Sequence, residues 1–356
     1  ARQLEGEKIE LGEEHYKGDY LSELVENNSL NSTQSLEELG QIGEEKILTQ
    51  IFADLEKCDI RFDSVVRESE VATESRLTEL LNMLRSGDYT YEKDGALFLA
   101  SSRVGDDKDR VLIRKNGRPT YFANDLVYHH YKYQRGFDRM IDIWGHDHHG
   151  YRQRLLAGLE FIGDQSEKLE IELYQLVDLY RGGEPVSMST RGGEFVELID
   201  LVDEVGIDAV RFNFLTKNHN RPLDFDIKVA TAKTEENPVY YVQYAHTRMA
   251  GILRKAEGAI SAQPRGELSP AGHHLIFRSL EFPTLLNSAL QGRGPHIITY
   301  ELQKLASLFH NYYTKHRVFD PDNPVRSAFR LEIIKFLKLV IASGLDILGV
   351  SAPERM

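Results

Sequence analysis

The chain is poor in cysteine, in long apolar runs and in positive charge. Its 356 residues include one cysteine, Cys58, which excludes a disulfide within the chain and fits a reducing compartment. The most apolar stretch, residues 331–350, is interrupted by Glu332, Lys335, Lys338 and Asp346. A helix with the roughly 18 apolar residues that span a membrane is therefore not expected. We expect a cytoplasmic protein without a membrane partner.

The charge balance argues mildly against a nucleic-acid partner. The sequence has 43 Lys and Arg against 56 Asp and Glu, a formal net charge of -13, whereas proteins that bind phosphate backbones usually show local positive surface. The excess is uneven, because residues 1–60 hold 15 acidic and 5 basic side chains while residues 301–356 hold 6 and 8. A weakly basic surface near the end of the sequence therefore stays open.

Apolar periodicity predicts a mixed helix and strand pattern in the first half. Helical spacing occurs at residues 42–55 and 73–84, and short β-type runs between turn sequences occur at residues 89–91, 96–99 and 111–113. These segments predict two helices followed by three short β-type runs separated by turns.

Residues 125–159 have the order of a parallel α/β sheet. A helix is predicted at 125–134, a strand at 139–144, a glycine-flanked loop at 145–150 and a helix at 151–159. Ligands in such sheets bind beyond the carboxyl ends of the strands, which is where the loop at 145–150 lies.

A strand, a loop and a further helix are predicted before the sequence becomes wholly helical. We predict a strand or hairpin arm at 169–180, a glycine- and hydroxyl-rich loop at 181–193 and a helix at 195–205. From Asn237 onward the spacing is helical throughout.

Residues from 237 to the end predict a bundle of four helices. Asn237, Ser269 and Asn323 each precede a proline, which is a typical helix start. The later helices are predicted at residues 269–290, 297–316 and 323–343, and Gly344 is predicted to end the last of them.

Tyr121 and Asp125 form a first candidate site. If the segment is helical, positions i and i+4 share a face, so a phenol and a carboxylate would point into one pocket. A carboxylate can hold a guanidinium through two charge-assisted hydrogen bonds. The alternative is structural: Asp125 caps a helix and Tyr121 packs on the core.

Three histidines and an aspartate at residues 146–149 invite a metal, as in a metal-dependent hydrolase. Consecutive residues of a short loop point in different directions, however, and no HExxH motif and no paired CxxC and HxxxH motif occurs. We therefore favour a polar loop at a strand end that hydrogen-bonds a ligand, and we predict no protein-bound metal.

Two further features could bind a nucleotide or RNA. The loop at residues 186–193 combines hydroxyl groups, two glycines and Arg191, which suits an anionic ligand but also fits an ordinary solvated loop. Several tyrosines could stack on bases, although most tyrosines at helical spacing are half-buried core residues. These tyrosines are Tyr240, Tyr241, Tyr244, Tyr312 and Tyr313.

Six ordered segments together resemble arginyl-tRNA synthetases, from about residue 16 to residue 356. Residues 117–125 (GRPTYFAND) resemble the family's Tyr-x-x-x-Asp element, and residues 137–151 (FDRMIDIWGHDHHGY) its strand and Gly-x-Asp loop. Residues 188–191 (MSTR) match a bacterial variant of the class I signature loop, which residues 195–214 continue. The remaining two segments, residues 237–248 (NPVYYVQYAHTR) and 348–356 (LGVSAPERM), resemble the start and end of the anticodon-binding domain.

The resemblance implies a partial Rossmann-like class I catalytic core followed by an all-α anticodon-binding bundle. The implied regions are residues 1–170 for the catalytic domain with an insertion, 171–236 for the signature loop and stem contact, and 237–356 for the bundle. The implied reaction converts arginine and ATP to arginyl-adenylate and transfers arginine to tRNA(Arg), with Mg²⁺ carried by ATP and the protein acting as a monomer.

The resemblance also assigns roles to individual residues. For arginine they are Tyr121, Asp125 and His148; for ATP, Gly145, Asp147 and Met188; for the triphosphate in the transition state, Ser189, Thr190 and Arg191; and for the anticodon loop, Tyr241, Tyr313 and Met356.

Two departures from the family pattern qualify this assignment. Ser187 and Thr190 occupy positions where the fullest signature loop has lysine, and no His-x-Gly-His element occurs. That element normally lies upstream of the segments seen here, so we expect an incomplete chain that is inactive alone. A non-catalytic tRNA-binding paralogue or a truncated regulatory protein is the alternative.

Overall fold

The chain folds into two units, shown by a computed structural model that describes residues 23–26, 30, 33–186, 196–258 and 262–356. The larger unit takes in the described residues up to Arg61 together with 177–218 and 222–356. The smaller unit takes in residues 62–176 and 219–221. The boundaries predicted at residues 170 and 236 follow family roles, which this division does not test, and they stay a prediction.

Helix α1 belongs to the larger unit and begins at a capping box. It spans Leu36–Lys57; the Ser35 side chain accepts from the Glu38 amide, and the Glu38 side chain accepts from the Ser35 amide. These two bonds satisfy backbone groups that a helix start leaves unpaired. The helix predicted at residues 42–55 is confirmed.

The smaller unit begins with helices and a three-stranded antiparallel sheet. Helix α2 spans Glu68–Val71 and α3 spans Glu74–Ser86, with Thr73 as the N-cap of α3. The strands β1 (Thr90–Lys93), β2 (Ala96–Leu99) and β3 (Arg110–Ile113) pair in the order β1-β2-β3. The helix predicted at 73–84 is confirmed as α3, and the β-type runs predicted at 89–91, 96–99 and 111–113 are confirmed as β1, β2 and β3, with shifts of one or two residues at the ends of β1 and β3. Helix α2 was not predicted.

A parallel strand pair with a helical crossover completes the smaller unit. Helix α4 (Tyr121–Gln134) precedes β4 (Met140–Gly145), α5 (His149–Phe161) and β5 (Leu169–Tyr174). Strand β4 pairs in parallel with β5, from Met140 opposite Leu169 to Gly145 opposite Tyr174. Parallel neighbours need such a crossover, and α5 supplies it.

Two predicted boundaries near the candidate site are wrong. Helix α4 begins at Tyr121 and not at Asp125, because the Thr120 side chain accepts from the Ala123 amide and so caps the helix one turn earlier. The segment predicted as a loop at 145–150 is a short 3₁₀ turn, His146–His148, that runs directly into α5 at His149.

The larger unit has its own three-stranded sheet. Strand β6 (Val177–Arg181) lies between β7 (Glu184–Pro185) and β8 (Leu223–Asp226), antiparallel to β7 and parallel to β8. The single strand predicted at 169–180 is therefore two strands, β5 and β6, in different sheets. The described part of the loop predicted at 181–193 contains β7.

Short helices lie between and after the strands of this sheet in the sequence. They are α6 (Leu198–Val205), α7 (Ile207–Phe214) and α8 (Ile227–Thr231). The helix predicted at 195–205 is confirmed over residues 198–205.

The end of the chain forms a helical bundle. Within the described residues from 238 onward its helices are α9 (Pro238–Ala256), α10 (Pro270–Leu280), α11 (Phe282–Gln291), α12 (His296–Lys315) and α13 (Pro324–Ile347). The helix predicted at 269–290 is two helices, because Pro283 lacks an amide hydrogen and its ring crowds the preceding turn. The described residues contain no helix both long and apolar enough to cross a membrane.

Gly344 does not end α13, contrary to the prediction. It lies inside the helix, where a Cβ would stand 2.6 Å from Leu302 Cδ2 and 3.0 Å from Phe282 Cζ. Gly349, at φ 65°, follows the last turn, and the amides of Gly349 and Val350 each donate at 2.9 Å to the carbonyls of Asp346 and Leu345. This pattern is a Schellman cap.

Candidate functional site

The carboxylate of Asp125 lies beside the end of strand β4. Asp125 is half-buried on α4, and the Tyr151 hydroxyl of α5 donates a hydrogen bond to its Oδ2. The Tyr151 ring meets Phe122 edge-on at 6.0 Å and Trp144 at 5.8 Å between centroids. Trp144 in turn lies 6.4 Å from the His148 ring. These contacts bring Asp125 into one cluster with the turn that follows β4.

Tyr151 carries a strongly perturbed phenol. Burial first, and then the hydrogen bond to Asp125 and its charge, raise the pKa of Tyr151 far above the usual value. The phenol therefore stays protonated and acts as a hydrogen-bond donor to the carboxylate.

Tyr121 lies one helical turn before Asp125, as predicted, and is largely solvent-exposed. It is the first residue of α4 and its exposed fraction is 79%. The structural alternative for this pair is wrong on both counts, because Tyr121 is not packed in the core and Thr120, not Asp125, caps the helix.

The turn after β4 presents its polar side chains to solvent. Gly145, Asp147 and His148 are all exposed, and His148 Nε2 lies 3.7 Å from Asp147 Oδ2. A Cβ at Gly145 would stand 2.5 Å from Asp147 Oδ1, so the glycine lets this carboxylate fold back over the strand end. In the part of the chain that the structure describes, no group of three or more His, Cys, Asp or Glu side chains is placed to hold a metal ion.

A buried charge cluster underlies the same end of the smaller unit. His129, 4% exposed, contacts the Asp125 carbonyl oxygen through Nδ1 and Asp142 Oδ2 through Nε2, both at 2.7 Å. Lys132 Nζ donates to both Asp142 oxygens at 2.7 and 2.9 Å. Burial raises the pKa of Asp142, but His129 and Lys132 outweigh it and hold that pKa below its usual value. This cluster joins α4 to β4.

The predicted signature-loop residues Met188, Ser189, Thr190 and Arg191 lie outside the described residues. The hairpin that precedes them in the sequence is held by Asp226. The Asp226 carboxylate accepts from the amides of Gly182 and Gly183 at 3.0 and 2.8 Å, and also from Lys228 at 2.8 Å. Val186 closes the hairpin by donating to the Leu179 carbonyl at 2.8 Å.

The bundle carries an aromatic and cationic cluster at the predicted anticodon position. The Arg248 guanidinium lies over the rings of Tyr244 and Tyr313, at 5.1 and 4.7 Å from their centroids. The His310 ring lies 5.0 Å from Tyr241 and 5.8 Å from Tyr244. Tyr241 and Tyr313 are therefore brought together through Arg248, Tyr244 and His310.

A cavity of about 410 Å³ opens at this cluster. His310 lines it, and its Nε2 is buried without a hydrogen-bond partner among the described residues. Burial first, and then the charge of Arg248, lower the pKa of His310, which favours a neutral ring.

The last residues lie along a different face of α9. The Gln243 side-chain amide donates to the Ser351 carbonyl at 2.9 Å, and Thr247 Oγ1 donates to the Pro353 carbonyl at 2.8 Å. Positions 243 and 247 lie roughly 120° around the helix from the face of Tyr241, Tyr244 and Arg248. Met356 is exposed at 58%, and the contacts of this segment do not place it with Tyr241 and Tyr313.

Sequence reasoning missed several residues that organise these sites. Tyr151 and Trp144 lie inside the segment quoted for the family resemblance, but tyrosine and tryptophan carry no signal that tells a ligand-facing ring from a core ring. Arg248 follows Tyr244 by four residues, and His310 precedes Tyr313 by three. Helical spacing could therefore have found both.

Comparisons with known proteins agree on one family. Residues 13–250 match the family model described as tRNA synthetases class I (R), catalytic domain, and residues 242–356 match the DALR anticodon binding domain. The arginine–tRNA ligase of Syntrophotalea carbinolica is 42% identical over 371 residues, covering 100% of this chain and 67% of the relative. That of Aquifex aeolicus is 44% identical over 327 residues, covering 89% and 56%.

Solved structures show the same fold. A structure described as an arginyl-tRNA synthetase from Campylobacter jejuni has a TM-score of 0.89 at 35% identity and covers 100% of this chain and 79% of that one. The arginyl-tRNA synthetase of Thermus thermophilus has a TM-score of 0.72 at 25% identity, covering 90% and 65%. A methionyl-tRNA synthetase of Mycobacterium tuberculosis, at 12% identity and a TM-score of 0.66, is similar in fold alone.

Proposed function

The chain belongs to the arginyl-tRNA synthetase family, and from that premise we propose that its smaller unit binds the arginine side chain at Asp125. The family's reaction activates arginine with ATP and transfers it to tRNA(Arg). The chain spans about 67% of the length of the curated relatives that it matches from end to end.

One observation carries the assignment of Asp125. Its carboxylate is half-buried, yet among the described residues it forms no ion pair and has a phenol as its side-chain partner. A partly buried carboxylate without a cation is costly unless a ligand supplies one. The planar guanidinium of arginine matches a carboxylate through two parallel hydrogen bonds.

The other proposed contacts follow the family motif. Tyr121 would hold arginine together with Asp125, and His148 would contact it nearer its reacting end. Gly145, Asp147 and Met188 would hold ATP with its Mg²⁺. Ser189, Thr190 and Arg191 would stabilise charge that develops on the triphosphate as the arginine carboxylate attacks. No covalent bond to the protein is needed, because binding both substrates in line supplies most of the rate gain.

The aromatic cluster of the bundle supports a role in anticodon recognition. Tyr241 and Tyr313, with Tyr244 between them, offer faces on which bases can stack, and Arg248 adds a positive charge. On the family motif alone we also propose that Met356 contacts the anticodon loop, from the separate face of α9 along which the last residues lie. We further propose that the protein is a cytoplasmic monomer whose macromolecular partner is tRNA(Arg).

The test is the Asp125→Ala variant in the full gene product, assayed for arginine-dependent pyrophosphate exchange with tRNA present. Losing two charge-assisted hydrogen bonds should lower kcat/KM for arginine by a factor on the order of 10²–10⁴. Asp138→Ala, an exposed carboxylate in the same unit, is the matched control and should change little. Unchanged exchange in Asp125→Ala would refute the assignment.

A further inference from the structure

We propose that Tyr151 is a positioning residue that orients the Asp125 carboxylate towards a planar guanidinium, and so favours arginine over amines. This inference rests on the proposed role of Asp125 in binding arginine. Tyr151 belongs to the segment that resembles the family, yet its own role is assigned here by contacts and not by that motif.

The carboxylate needs orienting because an aspartate carboxyl group rotates easily. The χ2 torsion of Asp is broad, whereas two parallel hydrogen bonds to a guanidinium require one carboxylate plane. The hydroxyl of Tyr151 donates to Oδ2 of Asp125 and fixes that plane. Each carboxylate oxygen offers two acceptor sites, so Oδ1 and the second site on Oδ2 stay available for a ligand.

Tyr151 can act in this way because its ring is held on several sides. Phe122 and Trp144 meet it edge-on, and the Arg154 guanidinium lies over its face at 5.0 Å from the centroid. A tyrosine has two χ angles, so a fixed ring fixes the direction of its hydroxyl. The phenol stays protonated because burial and Asp125 raise its pKa, and it therefore remains a donor.

The backbone of Asp125 is held by a different partner from its side chain. His129 contacts the Asp125 carbonyl oxygen at 2.7 Å and is itself bound to Asp142 on β4. Lys132 completes this anchor by donating to Asp142. The main chain and the side chain of Asp125 are therefore restrained by separate partners, and the hydroxyl of Tyr151 acts on the side chain alone.

The experiment compares Tyr151→Phe with the wild type in the full gene product. Phenylalanine keeps the ring packing and removes only the hydroxyl. We expect the Kd for arginine from calorimetry and the KM in pyrophosphate exchange with tRNA to rise roughly tenfold, which corresponds to about 1.4 kcal/mol. The kcat should change by less than about twofold, because the guanidinium is remote from the reacting carboxylate. Lysine, as a competitor of arginine, should inhibit the variant relatively better than the wild type.

Tyr133→Phe is the matched control. The Tyr133 hydroxyl donates to the Gln165 carbonyl at 3.0 Å, so this substitution removes a tyrosine hydrogen bond elsewhere in the same unit. It should leave arginine binding unchanged. An unchanged Kd in Tyr151→Phe would overturn the proposal, and a lower Kd would show instead that the phenol competes with the substrate. If Asp125→Ala binds arginine normally, the proposed function fails. If Asp125→Ala loses arginine binding but Tyr151→Phe binds arginine normally, only the inference about Tyr151 fails.

Discussion

The two candidate binding regions of this protein use opposite electrostatic designs. Around Asp125 the smaller unit places His129 and Lys132 on the buried Asp142 carboxylate, while the Asp125 carboxylate itself accepts only from a phenol among the described residues. Around Tyr244 the bundle uses rings and a single guanidinium, and burial lowers the pKa of His310. The first arrangement suits a small cation and the second suits stacked bases.

The same contrast extends to the neighbouring histidines. In the smaller unit His130 lies 2.9 Å from Asp164, and this hydrogen bond raises the pKa of His130. In the bundle burial lowers the pKa of His246, which donates to the Pro353 carbonyl at 2.9 Å. One unit therefore stabilises the charged form of its histidine and the other stabilises the neutral form.

The largest expected effect tests the buried charges of the smaller unit. Asp142→Ala leaves Lys132 and His129 without their carboxylate, and removing one partner of a buried pair costs about 3–5 kcal/mol. Hydrogen exchange should show lost protection in α4 and β4, with the bundle unchanged. Asp138→Ala is the control. Equal loss in both units, or none, would contradict the picture of a local charge cluster.

The next effect tests the apolar packing of the bundle. Gly344→Ala places a methyl group against Leu302 and Phe282, and overpacking of this kind costs about 1–3 kcal/mol. The matched control, Gly251→Ala in α9, meets only Arg254 Nη2 at 3.8 Å. It should stabilise by about 1 kcal/mol through helix propensity. If urea unfolding showed that Gly344→Ala raises the free energy of unfolding as Gly251→Ala does, close packing at Gly344 would be unimportant.

A smaller effect compares one helix start from each unit. Thr120 caps α4 by accepting from the Ala123 amide, and Ser269 caps α10 by accepting from the Gly272 amide. Replacing either by alanine should cost about 1 kcal/mol. Thr120→Ala should also weaken arginine binding, since it loosens the helix that carries Asp125, whereas Ser269→Ala should not. Equal arginine Kd values for the two variants would remove this difference.

The smallest effect is a pH dependence with opposite signs. The stability that neutral His246 and His310 contribute is present above their ordinary pKa of 6.5 and is lost as the pH falls through their lowered values. The contribution of His130 is present below 6.5 and is lost as the pH rises through its raised value. Between pH 7.5 and 5.5, exchange protection should fall in the bundle and rise near α4.

Single variants separate these histidines. His310→Gln should reduce the loss of protection in the bundle on acidification, and His130→Gln should abolish the gain near α4. A common pH response in the two units would show that global charge, and not these side chains, sets the behaviour.

The sequence predicted the kinds of elements well and their boundaries less well. Periodicity identifies α1, α9 and α12, since an apolar stripe is visible in the sequence itself. It does not identify the start of α4, which depends on the Thr120 side chain, or the break before Pro283. Gly344 resembles a helix end in sequence, but its role depends on Leu302, which is distant along the chain.

The candidate site was predictable only through family resemblance. Spacing alone left Asp125 open between a ligand contact and a cap, and the structure decides against the cap. The contact with Tyr151 joins residues 26 positions apart on different helices, so local pattern cannot reveal it. The roles of all the assigned site residues stay predictions, and those of residues 188–191 and Met356 rest on the motif alone.

The smaller unit includes three residues, 219–221, that return to it after a detour of the chain through the larger unit. His219 Nε2 lies 3.0 Å from Glu172 Oε2, its ring stacks on Tyr174 at 4.9 Å, and its carbonyl accepts from the Gln175 amide at 2.8 Å. A gene fragment that stopped at residue 176 would lose all three contacts at once. Isolating the smaller unit by simple truncation would therefore remove contacts that belong to it. A variant in which residues 219–221 are joined to residue 176 by a short linker would retain His219.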